Sequence, residues 1–129
     1  MKKRCLIVIA DYYTDISNGL LKSAINVLPK MSFIKIIKVP GVFEIPVTIS
    51  RNIKKYDGFL ALGCVIKGQT PHFDFISQAT TEAIIKLSVE NRKPIGNGII
   101  TCLNMKQAVV RKKKGREAAE AVMSILSQK

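Results

Sequence analysis

Short apolar runs alternate along the chain with longer stretches whose apolar residues recur three or four positions apart. Residues 4–10 carry Leu, Ile and Val without polar alternation, the pattern of a strand buried on both faces. Residues 16–28 then place Leu20, Leu21, Ala24, Val27 and Leu28 at helical spacing, closed by Pro29. A second strand is predicted over 32–39, broken by Pro40-Gly41. The spacing of Ile45, Ile49 and Ile53 predicts a helix over 44–55, with Pro46 in the first turn, where proline is tolerated. Residues 59–66 predict a third strand and 67–70 a loop. The next helix has the clearest signals: Thr70 as N-cap, Pro71 at the first helical position, and one stripe made by Phe75, Ile76, Ala79, Ala83, Ile84 and Leu87. It runs to about residue 91. A fourth strand over 94–101 follows, then a short helix capped by Asn104 through residue 110. A last helix over 115–127 is expected to bury Ala118, Val122, Ile125 and Leu126.

Strands alternating with helices in this order predict an α/β fold, a three-layer αβα sandwich with a central four-stranded parallel sheet in flavodoxin-like order. With 129 residues and no repeat or linker, the chain reads as one domain, 1–129. A core of this size buries about two-thirds of the surface exposed by the unfolded chain, so neither disulfides nor a structural metal are needed.

Composition narrows the function. The longest apolar run, residues 5–10, is far shorter than the ~20 residues that span a bilayer. Met1-Lys2-Lys3-Arg4 imitates the start of a signal peptide, but the run behind it is short and ends on Asp11. A cytoplasmic protein without membrane attachment is expected. Cys5, Cys64 and Cys102 are widely spaced and form no C-x-x-C, so buried thiols are expected. With a single histidine, there is little from which to build a zinc site, and no metal is expected. Hydrophobic residues make up 47% of the chain, which hints at surface buried between subunits. The charge is the unusual feature: 21 Lys and Arg against 9 Asp and Glu, a net +12. Such a balance suits nucleic acid, an anionic surface or phosphorylated small molecules.

In open parallel sheets, ligands bind beyond the carboxyl ends of the strands. That rule selects residues 11–13, 40–44, 67–72 and 101–104. Gly68-Gln69-Thr70-Pro71 leads into a helix, so it is either an anion site at a helix N-terminus or a capped helix with nothing bound. Neither a P-loop nor a dinucleotide fingerprint is present. His72 is the only imidazole available for proton transfer near neutral pH, or else it simply packs or caps. Glu44, the only acid between Asp15 and Asp57, either complements a helix dipole or accepts hydroxyl hydrogen bonds from a ligand. Tyr12-Tyr13 suits stacking on a planar heterocycle or covering the sheet edge. The run Arg111-Lys112-Lys113-Lys114 followed by Arg116 reads as an RNA patch, a solvated helix junction or one side of a phosphate site.

Together these segments resemble the lumazine synthase family, enzymes that make 6,7-dimethyl-8-ribityllumazine late in riboflavin biosynthesis. The resemblance is carried by PGVFEIP at 40–46 and GCVIKGQTPHFDF at 63–75, with support from PIGNGIIT at 94–101 and MKQAVVR at 105–111. It spans nearly the whole chain. It implies condensation of 5-amino-6-(ribitylamino)uracil with 3,4-dihydroxy-2-butanone 4-phosphate, with no cofactor or metal. By the same resemblance, His72 is the general acid/base, and Gln69, Thr70, Arg111 and Lys114 hold the phosphate. Tyr12, Val42, Phe43 and Glu44 would bind the ribitylaminouracil, with Cys64, Val65 and Ile66 lining the pocket by backbone contacts and Asn97 forming one wall. The family implies a homo-oligomer with sites between subunits, a pentamer or an assembly of pentamers, and no nucleic-acid partner. Other readings are a related riboflavin-synthase-like pentameric enzyme, or a catalytically weakened paralogue serving assembly or RNA binding.

The chain departs from the family pattern in four ways. Tyr12-Tyr13 stands where the family often has Phe-Asn, and Asn97 where it usually has Phe. Only Lys112 and Lys113 separate Arg111 from Lys114-Gly115, a much shorter loop than the family's. The few residues before the first strand imply that a strand often exchanged between family subunits is lacking.

Overall fold

The structure is a computed structural model that describes residues 2–29, 31–68 and 72–128. In chain order it forms β1 (Arg4–Ala10), α1 (Thr14–Ile25), β2 (Phe33–Val39), a 3₁₀ turn (Val42–Glu44) continuing into α2 (Ile45–Arg51), β3 (Gly58–Ile66), α3 (His72–Asn91), β4 (Ile95–Cys102), α4 (Met105–Val110) and α5 (Lys114–Leu126). The sheet order is β2-β1-β3-β4 and every pairing is parallel. The expected three-layer α/β sandwich is the observed one.

The apolar character of β1 follows from its central position. Cys5, Ile7 and Ile9 enter one core with Ile16, Leu20 and Ala24 of α1 and Ala118, Ala119 and Val122 of α5. Leu6, Val8 and Ala10 enter the other, with Ile45 and Ile49 of α2 and Ile84 of α3. Alternate side chains of a strand leave opposite faces, so a strand covered on both sides has no polar position. β2 lies at an edge, and of its residues only Val39 is buried.

Several boundaries and faces differ from expectation. α1 ends at Ile25, so Val27 and Leu28 lie beyond it, although Leu28 is fully buried. α2 ends at Arg51, leaving Ile53 in the following turn. The helix with the clearest sequence signals buries few of its residues: only Thr80 and Ile84 of α3 are buried, and Phe75 is 66% exposed, with Ala79 exposed as well. α3 meets the protein along a narrow line through Ile76, Thr80 and Ile84, centred roughly 140° from Phe75 at 3.6 residues per turn. In α5 the buried face is Gly115, Ala118, Ala119 and Val122, while Ile125 is exposed. The expected cap at Thr70 and Pro71 lies outside the described residues.

Two contacts set the position of α5. A Cβ on Gly115 would collide with the Leu20 carbonyl of α1, so the two helices approach at backbone distance. Ser23 Oγ donates to the Leu20 carbonyl at 2.9 Å and to the Lys112 carbonyl at 3.0 Å, fastening the α4–α5 turn to α1. Asn104 caps α4 as expected: its Oδ1 accepts from the Gln107 N–H at 2.9 Å. Gln107 Oε1 in turn accepts from the Leu103 N–H at 2.8 Å, a reciprocal cap.

Candidate active site

The strand order reverses between β1 and β3, where α1 and α2 depart to opposite faces of the sheet. A crevice opens at such a switch point beyond the strand ends. Backbone pairing continues past the strands there, from the Asp11 N–H to the Val39 carbonyl at 3.0 Å and from the Lys67 N–H to the Cys102 carbonyl at 2.8 Å. The loops after all four strands therefore start from a common edge.

After β1, Tyr12 is 73% exposed, and its ring meets Tyr13 edge to face at 4.9 Å. After β2, the 3₁₀ turn splits its three residues by face. Val42 is buried in the α2–α3 core, Phe43 is exposed, and Glu44 is half-buried. Phe43 lines a recess between α2 and α3 with Pro46, Val47, Ala79, Thr80 and Ala83. Glu44 holds the N-cap position of α2, yet its carboxylate makes no cap hydrogen bond. Instead it lines a cleft of about 550 Å³ with polar neighbours that include Thr48, Arg51 and Asn52. The carboxylate is thus available to a ligand.

At the end of β3, Cys64 faces the α1–α5 core and Val65 the α2–α3 core. Residues whose side chains leave opposite faces share only their backbone edge as a common surface. Cys64 lies within hydrogen-bond reach of the Cys102 thiol, and burial, then the neighbouring Cys102, pushes its thiol up to about 12. The register pairs Cys64 with Ile100 and Ile66 with Cys102, so the two cysteines are diagonal neighbours. Both remain thiols, as does the buried Cys5. Tyr13 completes the group: burial raises its hydroxyl pKa first, then Tyr12 and Cys64.

His72 is the first residue of α3 and is exposed, with Asp74 in the same turn. Gln69 and Thr70 lie outside the described residues. Before them, Gly68 has open space around the position of a Cβ.

Arg111 closes α4 at its C-cap. Its Nη1 donates to the Thr101 carbonyl at 2.9 Å and lies 3.9 Å from Cys102 Sγ. The Lys114 N–H donates to the Arg111 carbonyl at 3.1 Å, a tight turn. The short loop therefore brings Arg111 and Lys114 together in one cavity of about 460 Å³, with Thr101, Val110, Lys113 and Glu117 in its wall. Lys114 Nζ lies 3.9 Å from Glu117 Oε2. Glu117 was not singled out by sequence, and Lys113 only as a member of the basic run, because a run of charges does not reveal which members share a face.

Asn97 stands apart. It is the third residue of β4, half-buried on an edge strand, and its Oδ1 accepts from the Ile99 N–H at 3.1 Å. The cavity at β4 is two strand spacings from β1 and three from β2, about 10 and 14 Å across the sheet. Within one chain the cationic cavity and the Tyr12–Glu44 region are separate. Among the described residues, no group of three or more His, Cys, Asp or Glu side chains is arranged to hold a metal ion.

Residues 2–129 match the family model described as 6,7-dimethyl-8-ribityllumazine synthase. A protein of that name from Bartonella tribocorum is 42% identical, covering 99% of this chain and 91% of its own length. Those from Nitrobacter hamburgensis, 40% identical over 95% of this chain, and Agrobacterium fabrum, 39% identical over 99%, agree. All four strand-end segments fall inside these matches, and the chain belongs to the 6,7-dimethyl-8-ribityllumazine synthase family.

Proposed function

We propose that the chain condenses 5-amino-6-(ribitylamino)uracil with 3,4-dihydroxy-2-butanone 4-phosphate to give 6,7-dimethyl-8-ribityllumazine, phosphate and water. The observation that carries this is the family match along residues 2–129, with the candidate polar and aromatic groups at the carboxyl edge of the sheet. The pyrimidine amine attacks the ketone and loses water to form an imine. Phosphate then leaves with a proton from the neighbouring carbon, and the ribitylamino nitrogen closes the ring with loss of a second water. Each stage moves protons between nitrogen, carbon and oxygen, and His72 acts as the general acid/base. Its place in the first turn of α3, the helix that follows β3 at the carboxyl edge of the sheet, supports that role.

Tyr12 stacks on the pyrimidine, while Val42, Phe43 and Glu44 bind the ribitylaminouracil, Glu44 through ribityl hydroxyls. Glu44 suits this because its carboxylate is uncommitted to its own helix. The backbone of Cys64, Val65 and Ile66 lines the same pocket, and Asn97 gives one wall. Gln69, Thr70, Arg111 and Lys114 receive the phosphate. Holding two reactants together and excluding water supplies much of the rate enhancement.

The site is completed by a neighbouring copy in a pentamer or an assembly of pentamers. Two observations support this. The cationic cavity is displaced across the sheet from the ring-binding loops. In addition, Phe75, Ile85 and Val89 of α3 and Met105, Val109 and Val110 of α4 are exposed. Large exposed apolar patches mark interaction surfaces. None of the described helices is long and apolar enough to cross a membrane. The test is direct: mix the protein with both substrates and follow lumazine absorbance and phosphate release. One phosphate per lumazine is expected. Absence of lumazine from active-site-saturating mixtures removes the proposal.

A further inference from the structure

We infer that Lys113 is a third cationic contact for the substrate phosphate. The inference rests on the proposed phosphate role of Arg111 and Lys114. All three cations line the 460 Å³ cavity between the β4 edge and the α4–α5 turn, where Glu117 is the only carboxylate in the wall. Their commitments differ. Arg111 donates Nη1 to the Thr101 carbonyl, and Lys114 faces Glu117. The Lys113 ammonium has no ion pair or side-chain hydrogen bond among the described residues. Three cations against one carboxylate leave a surplus of two positive charges. A phosphate monoester carries roughly −1.5 to −2 at neutral pH. The charge surplus is that of its ligand.

Position argues the same way. Lys113 is the N-cap residue of the 13-residue helix α5. A cation there opposes the positive end of the helix dipole, so an uncompensated cluster at this point is unfavourable until an anion arrives. Lys113 stands on the ridge between the cavity and a shallower groove along α1. Its neighbour Lys112 turns away. The Lys112 side chain lies across Gly19 of α1, its Cδ 2.5 Å from where a Cβ would sit, and it is absent from the cavity wall. Two adjacent lysines with the same charge thus have different surroundings, and Lys112 serves as an internal control.

Steady-state kinetics on the assembled enzyme, with inorganic phosphate as a competitive inhibitor, test the assignment. Lys113→Ser is expected to raise KM for the butanone phosphate, and the inhibition constant for phosphate, by about tenfold. The pyrimidine KM and kcat should stay within about twofold, and Lys113→Arg should recover most of the loss. Lys112→Ser, with the same change in net charge, should leave all four quantities within about twofold. If Lys113→Ser behaves like Lys112→Ser while Arg111→Ala raises the butanone-phosphate KM, the role of Lys113 is overturned and the cavity assignment stands. If Arg111→Ala also leaves that KM unchanged, the phosphate binds elsewhere and both assignments fall.

Discussion

His72 is the one side chain for which the chain holds no substitute. Every other candidate group has several members, but the imidazole occurs once, at the start of α3. His72→Ala is expected to lower kcat by about 10²–10⁴, the usual contribution of a positioned acid/base. Sedimentation should show an unchanged oligomer, and unchanged turnover would remove His72 from the mechanism. Buried thiols give a second prediction at this scale. Burial pushes Cys5 from 9.0 up to about 12, and Cys64 behaves similarly. In the folded protein these thiols hold their protons where the unfolded chain has lost them. Their contribution to stability is therefore complete below pH 9 and lost as pH rises from 9 toward 12. Thermal unfolding should show a flat midpoint through neutral pH and a fall above pH 9, shallower in Cys5→Val. The strand-end rule found Tyr12, Glu44 and His72 because it depends on element order alone, whereas Arg111 was marked by the basic run. It missed the Cys64–Cys102 contact, which depends on the register of β3 against β4.

At the scale of elements, two opposing terms meet at Gly115. Intrinsic helix propensity favours alanine over glycine by about 1 kcal/mol. The added methyl, however, would strike the Leu20 carbonyl, a backbone atom of α1 that cannot rotate away. Overpacking of this kind costs about 1–3 kcal/mol, so Gly115→Ala should be net destabilising. A denaturant midpoint equal to or above wild type would show that α5 can lift from α1 without loss. Asn104→Ala has no such conflict, and loss of the cap should cost about 1 kcal/mol, read in the same titration. The cap at Asn104 was visible in sequence because the accepting side chain and the N–H donor are three residues apart. The faces of α3 and α5 were visible only in part: Ile84, Ala118 and Val122 are buried as expected, whereas Phe75 and Ile125 are exposed. Periodicity says that a helix has an apolar side, but the width of the side that is covered depends on what packs against it. For α3 the partner surface is narrow, and Phe75 falls beyond it.

At the scale of the whole molecule, that uncovered apolar surface is the feature with a consequence for activity. Ile85 and Val89 lie one turn apart on α3, both exposed. Replacing both with lysine should leave the isolated fold intact by circular dichroism, since neither enters a core. It should dissociate the assembly in sedimentation and abolish turnover, because the cationic cavity and ring-binding loops then lose their neighbour. Retained turnover in a monomer would place the complete site within one chain. The net +12 charge is handled at this scale too. The four ion pairs among the described residues are all at the surface, where such pairs contribute about 0–1 kcal/mol each. The cationic cavity accounts for a small part of the excess.

The sequence by itself determined the element order, the parallel sheet and the four strand-end segments that are candidates for the site. These follow from local periodicity and from the steric rules of strand–helix–strand connection, which act over a few tens of residues. Its motifs also pointed to the family. The tertiary structure decided which charges share a wall: Arg111, Lys113 and Lys114 face one cavity with Glu117, while Lys112 lies over Gly19. It also freed the Glu44 carboxylate from its helix and left one side of α3 bare. Those outcomes depend on how α5 docks on α1 and how β4 registers against β3. Such contacts join residues distant in the chain, and no local pattern records them.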